Sequence, residues 1–237
     1  MNSYQLNQLA TEFRLDIGIN HNDPLDFFPL ITNKLKNLTI VFLEMAEEIS
    51  GACCRLNTEQ IMFINARHSK GRQNFTAAHE IYHLFYEETS FTICNIKSND
   101  EVEKNANKFA SFLLMPINAL YNYKKENKIK KWDLNSIIDC EQYFQMSHEA
   151  LLYRLKSASE ISFEEFNSFK PHVKYSAAKR GYDLSLYEPF TNENYTMGNY
   201  TRLVEEAYKK DLISNGKREE YLLQAFLSDL VYNLEEL

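Results

Sequence analysis

Apolar residues along this chain recur mainly at helical spacing, apart from one short strand-like region in the N-terminal third. Helical patterns cover residues 2–14 and 26–36 ahead of that region. Three runs rich in Ile, Val, Phe and Cys, at residues 38–43, 51–56 and 60–65, are separated by polar turns. The pattern therefore predicts a small antiparallel sheet, followed by a mainly helical remainder.

The second part of the chain is predicted to be almost entirely helical. The predicted helices cover residues 74–87, 98–115, 116–126, 133–144, 147–158, 162–179, 199–213 and 216–236. Pro171 should break or kink the helix over 162–179, because proline lacks a backbone donor and clashes with the preceding turn. Residues 182–197 show no regular apolar period and are predicted to be irregular. The predicted fold class is thus α+β, mainly helical.

A metal-binding pattern lies on the helix predicted over 74–87. His79 and His83 are four residues apart, so they project from one face and can bind one metal ion. Glu80 is placed to act as a general base on the open side of that metal. On the next helix, Glu103 supplies a carboxylate that completes the set and leaves a fourth position for water. These residues predict a zinc-dependent hydrolase.

Each of these residues also has an ordinary structural interpretation. The histidines can be solvated groups on a surface helix, and Glu80 a simple helix former. Glu103 and Glu101 both lie near a helix start, where acidic side chains interact favourably with the helix dipole. We favour Glu103 as the ligand, because Glu101 has capping-box spacing from Ser98. Asn107, four residues after Glu103, is placed to hydrogen-bond a metal ligand.

Each of these two helices has four apolar residues at helical spacing, which predict its core stripe. They are Phe75, Ala78, Tyr82 and Phe85 on the first helix, and Val102, Ala106, Phe109 and Leu113 on the second. The metal-site residues lie on the neighbouring faces.

The same two helices resemble the ImmA/IrrE family of metallopeptidases. That family carries F-T-x-A-H-E-x-x-H and then E-x-x-A-N-x-F-A-x-x-L-L-M-P, which this chain matches over residues 75–83 and 103–116. The second string matches at every defined position. The resemblance is strong over about residues 25–120 and weaker beyond. It implies a zincin-like (gluzincin-type) domain.

The resemblance implies His79, His83 and Glu103 as zinc ligands and Glu80 as the catalytic base. Members of the family are cytoplasmic endopeptidases that cleave a helix-turn-helix repressor, often one that guards a mobile element or a stress response. The implied partner is therefore a repressor protein. Tyr82 departs from the glycine that many relatives carry at this position. Since Tyr82 lies on the core stripe, we expect altered packing and unchanged chemistry.

The expected chemistry also needs a group that stabilises the oxyanion. Zinc would lower the pKa of a bound water toward about 7, and Glu80 would accept its proton. Tyr86, His68 and Arg72 are candidates for the oxyanion donor. Each has a simpler explanation, Tyr86 as a packing residue and the other two as solvated loop groups.

Composition narrows the classes of protein that fit. The chain is 44% hydrophobic and 25% charged, as soluble globular proteins are. Its formal net charge of −7 argues against a broad phosphate-binding surface. It has neither a run of roughly 20 apolar residues nor a signal-peptide pattern at its start. Its scattered cysteines, Cys53, Cys54, Cys94 and Cys140, suit a reducing compartment, so a cytoplasmic location is expected.

We predict three regions: a zinc metallopeptidase domain over 1–128, a helical region over 129–180 and a C-terminal helical region over 181–237. The middle region contains a pair of helices with helix-turn-helix spacing. Arg154 and Lys156 on its second helix are offset by nearby acidic residues, so direct nucleic-acid binding is not expected. The alternative function is a metal-bound docking protein, or a DNA-associated regulator, that performs no proteolysis.

Overall fold

The computed structural model of the protein describes residues 1–87, 91–95, 100–191 and 193–232, with 91–95 described by their backbone. The helices are α1 (Ser3–Asp16), α2 (Phe27–Lys34), α3 (Lys70–Tyr86), α4 (Glu101–Leu114), α5 (Ile117–Glu126), α6 (Leu134–Phe144), α7 (His148–Ser157), α8 (Phe163–Phe169), α9 (Val173–Lys179), α10 (Asn199–Lys209), α11 (Asn215–Gln224) and α12 (Asp229–Tyr232). The strands are β1 (Leu38–Leu43), β2 (Ile49–Leu56), β3 (Glu59–Asn65), β4 (Phe91–Asn95) and β5 (Tyr195–Gly198). A short 3-10 helix covers Ser185–Tyr187. The predicted α+β, mainly helical fold class is confirmed.

The strands form one mixed sheet in the order β4-β2-β3-β1-β5. β2 pairs antiparallel with β3 and with β4, and β5 pairs antiparallel with β1, whereas β1 and β3 run parallel. The expectation of a purely antiparallel sheet is therefore wrong for one pair. Apolar patterning identifies the strands but not their neighbours. β1 and β3 lie side by side because Ile40, Phe42, Met62 and Ile64 are all completely buried at the centre of the sheet.

Two strands, β4 and β5, are missing from the sequence prediction. β5 lies within the 182–197 stretch that was expected to be irregular, and its sequence Tyr-Thr-Met-Gly has little apolar alternation. Its pairing with β1 depends on Gly198, which has φ +101°. A Cβ atom there would lie 2.3 Å from the Leu38 carbonyl oxygen, so the close approach of these strands requires glycine.

The predicted core stripes of α3 and α4 are only partly correct. Phe85 and Val102 are exposed, whereas Ile81 and Leu84 are buried. A single stripe fails for α3 because this helix packs against both the sheet and α4. The predicted cap, Ser98, lies outside the described residues. In the structure, the Asp100 side chain caps α4 by accepting a hydrogen bond from the Glu103 backbone amide.

Two of the long helices predicted from the sequence are each divided into two shorter helices in the structure. The helix predicted over 162–179 is two helices, α8 and α9, with Pro171 between them. The helix predicted over 216–236 is also divided, into α11 and α12. Gln145, between α6 and α7, adopts a left-handed conformation that allows the sharp turn of the predicted helix pair.

Two buried arginines hold the end of α4. Arg14 on α1 donates a 2.7 Å hydrogen bond to the Leu113 carbonyl, and Arg154 on α7 donates a 3.2 Å bond to that of Met115. The last carbonyls of a helix have no partners within the helix, so these contacts supply them. Arg154 is one of two cations on the second helix of the predicted pair, and its burial removes it from the surface.

The main hydrophobic core includes Leu6, Phe109, Leu155 and Phe166, and so crosses the predicted boundary at residue 128. A second small cluster, built on Val204 and other residues of the C-terminal helices, lies outside it. The three-region division stays a prediction. Within the described ranges, every helix is too short or too polar to cross a membrane.

Candidate metal centre

Three buried side chains from two packed helices converge at one point. α3 supplies His79 and His83, and α4 supplies Glu103; their exposed fractions are 5%, 1% and 7%. His79 Nε2 and His83 Nε2 are 3.0 Å apart. Glu103 Oε2 lies 3.1 Å from His79 Nε2, and Oε1 lies 3.4 Å from His83 Nε2. The structure thus brings together the three residues that the sequence assigned to a metal.

The spacing of these atoms fits a tetrahedral metal ion. Zinc bonds of about 2.0–2.1 Å at tetrahedral angles place neighbouring ligand atoms about 3.3 Å apart. The three observed separations, 3.0, 3.1 and 3.4 Å, lie close to that value. The group His79, His83 and Glu103 can therefore bind a metal with little rearrangement.

The outer nitrogens of both histidines are held by hydrogen bonds. His79 Nδ1 lies 3.0 Å from Asn107 Oδ1, and His83 Nδ1 lies 2.6 Å from Glu87 Oε2. Because both partners are acceptor oxygens, Nδ1 carries the proton in the neutral form of each ring, which leaves the Nε2 lone pair for a metal. The lone pairs of the two imidazoles and the Glu103 carboxylate can then face one point, which favours the binding of a cation there.

Glu87 contacts a candidate ligand and was not identified from the sequence, whereas Asn107 contacts His79 as predicted. The available signal was the four-residue spacing from His83 to Glu87, which places the two side chains on one helix face. The Arg55 side chain donates hydrogen bonds to the carbonyls of Leu84 and Glu87, and so fixes this end of α3.

Glu80 is completely buried between the metal site and β2. Its charge is one of the influences on His79, as expected of a near neighbour. On the other side lies Cys53, whose pKa is raised by burial and then by the charge and hydrogen bond of Glu80. The thiol is therefore neutral, and it donates a 3.9 Å hydrogen bond to the backbone carbonyl of Glu80.

Gly51 on β2 leaves the space that Glu80 occupies. A Cβ atom at this position would lie 2.9 Å from Glu80 Oε1 and 2.7 Å from Thr76 Cγ2. We expect Gly51→Ala to displace Glu80, lowering peptidase activity at least tenfold and stability by roughly 1–3 kcal/mol, as overpacking does. Activity assays and denaturant unfolding measure the two effects.

Gly216 on α11 provides the matched control for this substitution. A Cβ atom there meets nothing within 4 Å, and alanine is the better helix former. Gly216→Ala should therefore retain wild-type activity and equal or slightly greater stability. A Gly51→Ala protein indistinguishable from the wild type would show that Glu80 does not need this space.

In the metal-free protein, a proton should compete with a metal ion for His79. Burial lowers the pKa of His79, but the hydrogen bond and charge of Glu103, the charge of Glu80 and the Asn107 hydrogen bond outweigh it and raise that pKa above 6.5. A metal must displace this proton, so metal affinity should fall as pH drops through the raised pKa. Above that pKa, His79 should contribute no further pH dependence.

Titration calorimetry in buffers of different ionisation enthalpy measures both the affinity and the protons released on metal binding. We expect proton release on the acidic side of the His79 transition and weaker binding there. Metal affinity that is constant across this range, with no proton released, would contradict the assignment of His79 as a ligand.

Tyr86, one candidate for the oxyanion donor, packs in an aromatic cluster, and its oxyanion role stays a prediction. Its ring lies 5.2 Å from that of Phe109 and 5.9 Å from that of Tyr82. Burial, and then the charges of Asp16 and Glu12 on α1, raise its pKa to about 12. Tyr82, which replaces the glycine of many relatives, is buried in the same aromatic cluster.

His68 and Arg72, the other two candidates, line a cavity at the start of α3 together with Glu47, Arg67 and Ser69. Arg72 precedes His79 by seven residues, or about 10 Å along the helix axis. The lining of this cavity does not include His79, His83 or Glu103. The oxyanion roles of His68 and Arg72 stay predictions.

Comparison with known families gives a match over the part of the chain that contains this site. The sequence model of a peptidase family, described as the IrrE N-terminal-like domain, matches residues 34–156, just over half of the chain. The matched range includes all three converging residues, Glu80, Glu87 and Asn107. Comparison with curated proteins gives no match.

Proposed function

The chain belongs to the IrrE N-terminal-like family of peptidases, and from that premise we propose that it is a zinc-dependent endopeptidase that cleaves a helix-turn-helix transcriptional repressor. Membership agrees with the ImmA/IrrE resemblance found in the sequence, and the family makes the chain a peptidase. The proposed part comprises zinc as the metal, internal cleavage, the repressor as substrate, and a role in regulating a mobile element or a stress response.

The observation that carries the proposal is the convergence of His79, His83 and Glu103 within hydrogen-bonding distance of one another. Two imidazoles and one carboxylate are the protein ligands of catalytic zinc in one major class of peptidases. A zinc ion bound by them would act as a Lewis acid toward water and the scissile carbonyl. Asn107 and Glu87 orient the two imidazoles and select the nitrogen that binds.

Glu80 is the residue that moves protons in this proposal. Its carboxylate would accept a proton from the attacking water and then deliver it to the nitrogen of the leaving amine. Its complete burial against the space that Gly51 leaves limits the positions that its oxygens can take. A proton acceptor held in this way loses little entropy when the reaction begins.

The repressor substrate and a cytoplasmic site of action are supported by the family resemblance. Cys53, Cys54 and Cys140 are free thiols in the part of the chain whose side chains are described, which fits a reducing compartment. α6 and α7 then serve as a structural or docking pair, because the Arg154 side chain is buried and donates a hydrogen bond to the Met115 carbonyl.

The experiment is incubation of the zinc-loaded protein with any helix-turn-helix repressor that is encoded beside its gene. We expect a defined cleavage of the repressor that chelation prevents and added zinc restores. If the repressor forms a complex with the protein under inducing conditions and stays intact, the docking interpretation replaces the enzymatic one.

A further inference from the structure

The cavity at the start of α3 has features of an anion-binding site. It has a volume of about 340 Å³ and is lined by Glu47, Arg67, His68, Ser69 and Arg72. α3 is 17 residues long, and its first turn contains no acidic residue. The positive end of the helix dipole therefore faces this cavity without a side-chain carboxylate in that turn to compensate it.

His68 is buried in the wall of this cavity with its polar atoms unused. Its exposed fraction is 5%, and neither ring nitrogen makes a hydrogen bond to any group in the described part of the chain. The Glu47 backbone is close enough to favour the protonated ring, but it can satisfy one nitrogen at most. Buried polar atoms normally have partners, so this ring is arranged to receive one from outside the chain.

Arg72 supplies unused donors on the same side. Its guanidinium makes a 3.4 Å hydrogen bond to Ser50 Oγ, a long bond that uses one of its five N–H groups. The neighbouring Arg67 is engaged differently, in a 2.7 Å ion pair with Glu44. Arg72 is therefore the cation of the cavity that is available to a ligand.

The cavity and the metal site lie along the same face of α3. Arg72 and His79 are seven residues apart, about two helical turns or 10 Å. β2 borders both places, because Ser50 contacts Arg72 while its neighbour Gly51 lies against Glu80. An extended peptide advances about 3.3 Å per residue, so it would reach from one place to the other in about three residues.

We propose that this cavity binds an acidic side chain of the substrate, an aspartate or glutamate about three residues from the scissile bond, through Arg72 and His68. The inference rests on the proposed peptidase function and names a specificity determinant for it. Arg72 would hold the carboxylate with two parallel N–H bonds, and His68 would donate the third.

A carboxylate fits the charge of the cavity better than a phosphate does. The lining carries Arg67, Arg72 and one acid, Glu47, and Arg67 is already paired with Glu44. Burial, and then the charge of Arg72, lower the pKa of His68 to about 4, so this ring is neutral at physiological pH. The charges of Glu149 and then Glu47 already offset part of the Arg72 charge. The site therefore suits the single negative charge of a carboxylate better than a phosphate, which carries nearly two.

Cleavage of a peptide library by the zinc-loaded protein tests the specificity. We expect a preference for Asp or Glu at one position about three residues from the cut. Arg72→Gln should lower kcat/KM for the acidic peptide roughly 10- to 100-fold more than it lowers kcat/KM for the Gln counterpart. Arg72→Glu should reverse the preference toward lysine. Lys70→Gln, in the same helical turn but outside the cavity lining, is the matched control and should keep the acidic preference.

A binding measurement separates this inference from the proposed function. The probe is a glutamate-containing peptide added to the zinc-loaded protein, observed through the imidazole NMR signals of His68. We expect those signals to shift in the wild type and not in Arg72→Gln. Cleavage without an acidic preference, or a shift caused by inorganic phosphate but not by the peptide, would overturn the inference. If no peptide in the library is cleaved, the peptidase proposal fails, and the NMR titration alone decides whether the cavity binds a carboxylate.

Discussion

Glu80→Gln is expected to bind zinc as the wild type does while losing peptidase activity by roughly 100- to 10,000-fold, the range for removal of a general base. Glutamine has nearly the shape of glutamate and can remain in the buried space beside Gly51. It cannot accept the proton of the attacking water. Since Glu80 is not one of the three converging ligands, metal content should be unchanged.

The measurement compares turnover of a cleaved peptide with metal content in the same preparation. Glu101→Gln is the matched control, because Glu101 is an exposed acid in the first turn of α4 and lies outside the metal group. It should retain both zinc and activity. A Glu80→Gln protein that still cleaves at the wild-type rate would remove Glu80 as the base.

Glu103→Ala is expected to weaken metal binding severely. Changing a residue that merely orients a ligand costs about 10- to 100-fold in metal affinity, so removing a ligand should cost at least 100-fold. The two histidines would remain at 3.0 Å from each other with no carboxylate to balance the cation. Activity should fall with zinc occupancy, and the stabilisation that zinc gives to the folded state should disappear.

Zinc titration with a competing chelator, and thermal unfolding with and without zinc, measure these effects. Glu101→Ala is the control and should bind zinc normally. Glu103→Ala protein that keeps one tightly bound zinc would mean that another side chain is the third ligand, and the closeness of Glu103 to the histidines would then need a different explanation.

The metal-site residues could be located from the sequence because their spacing follows helix geometry. His79 and His83 are one turn apart within an apolar period that is plainly helical, so their shared face was predictable. Glu103 was harder to assign, since acids near a helix start are common. In the structure the Asp100 side chain caps the Glu103 amide, while the Glu103 carboxylate lies 3.1 Å and 3.4 Å from the two histidine Nε2 atoms, as the prediction requires.

The features that sequence reasoning missed depend on contacts between distant segments. The parallel pairing of β1 with β3 places a third strand between two consecutive ones, and no local pattern encodes that order. β5 has too few apolar residues to be recognised, and its place is set by the close approach of Gly198 to Leu38. Glu87 was overlooked because a glutamate at the end of a helix has many ordinary explanations.

The most direct test of the metal site is an anomalous difference map from crystals of the zinc-loaded protein, recorded on both sides of the zinc absorption edge. We expect one strong peak per chain, about 2.0–2.2 Å from His79 Nε2, His83 Nε2 and a Glu103 carboxylate oxygen. A peak elsewhere in the chain, or zinc bound by the histidines with the Glu103 carboxylate turned away from it, would contradict the account.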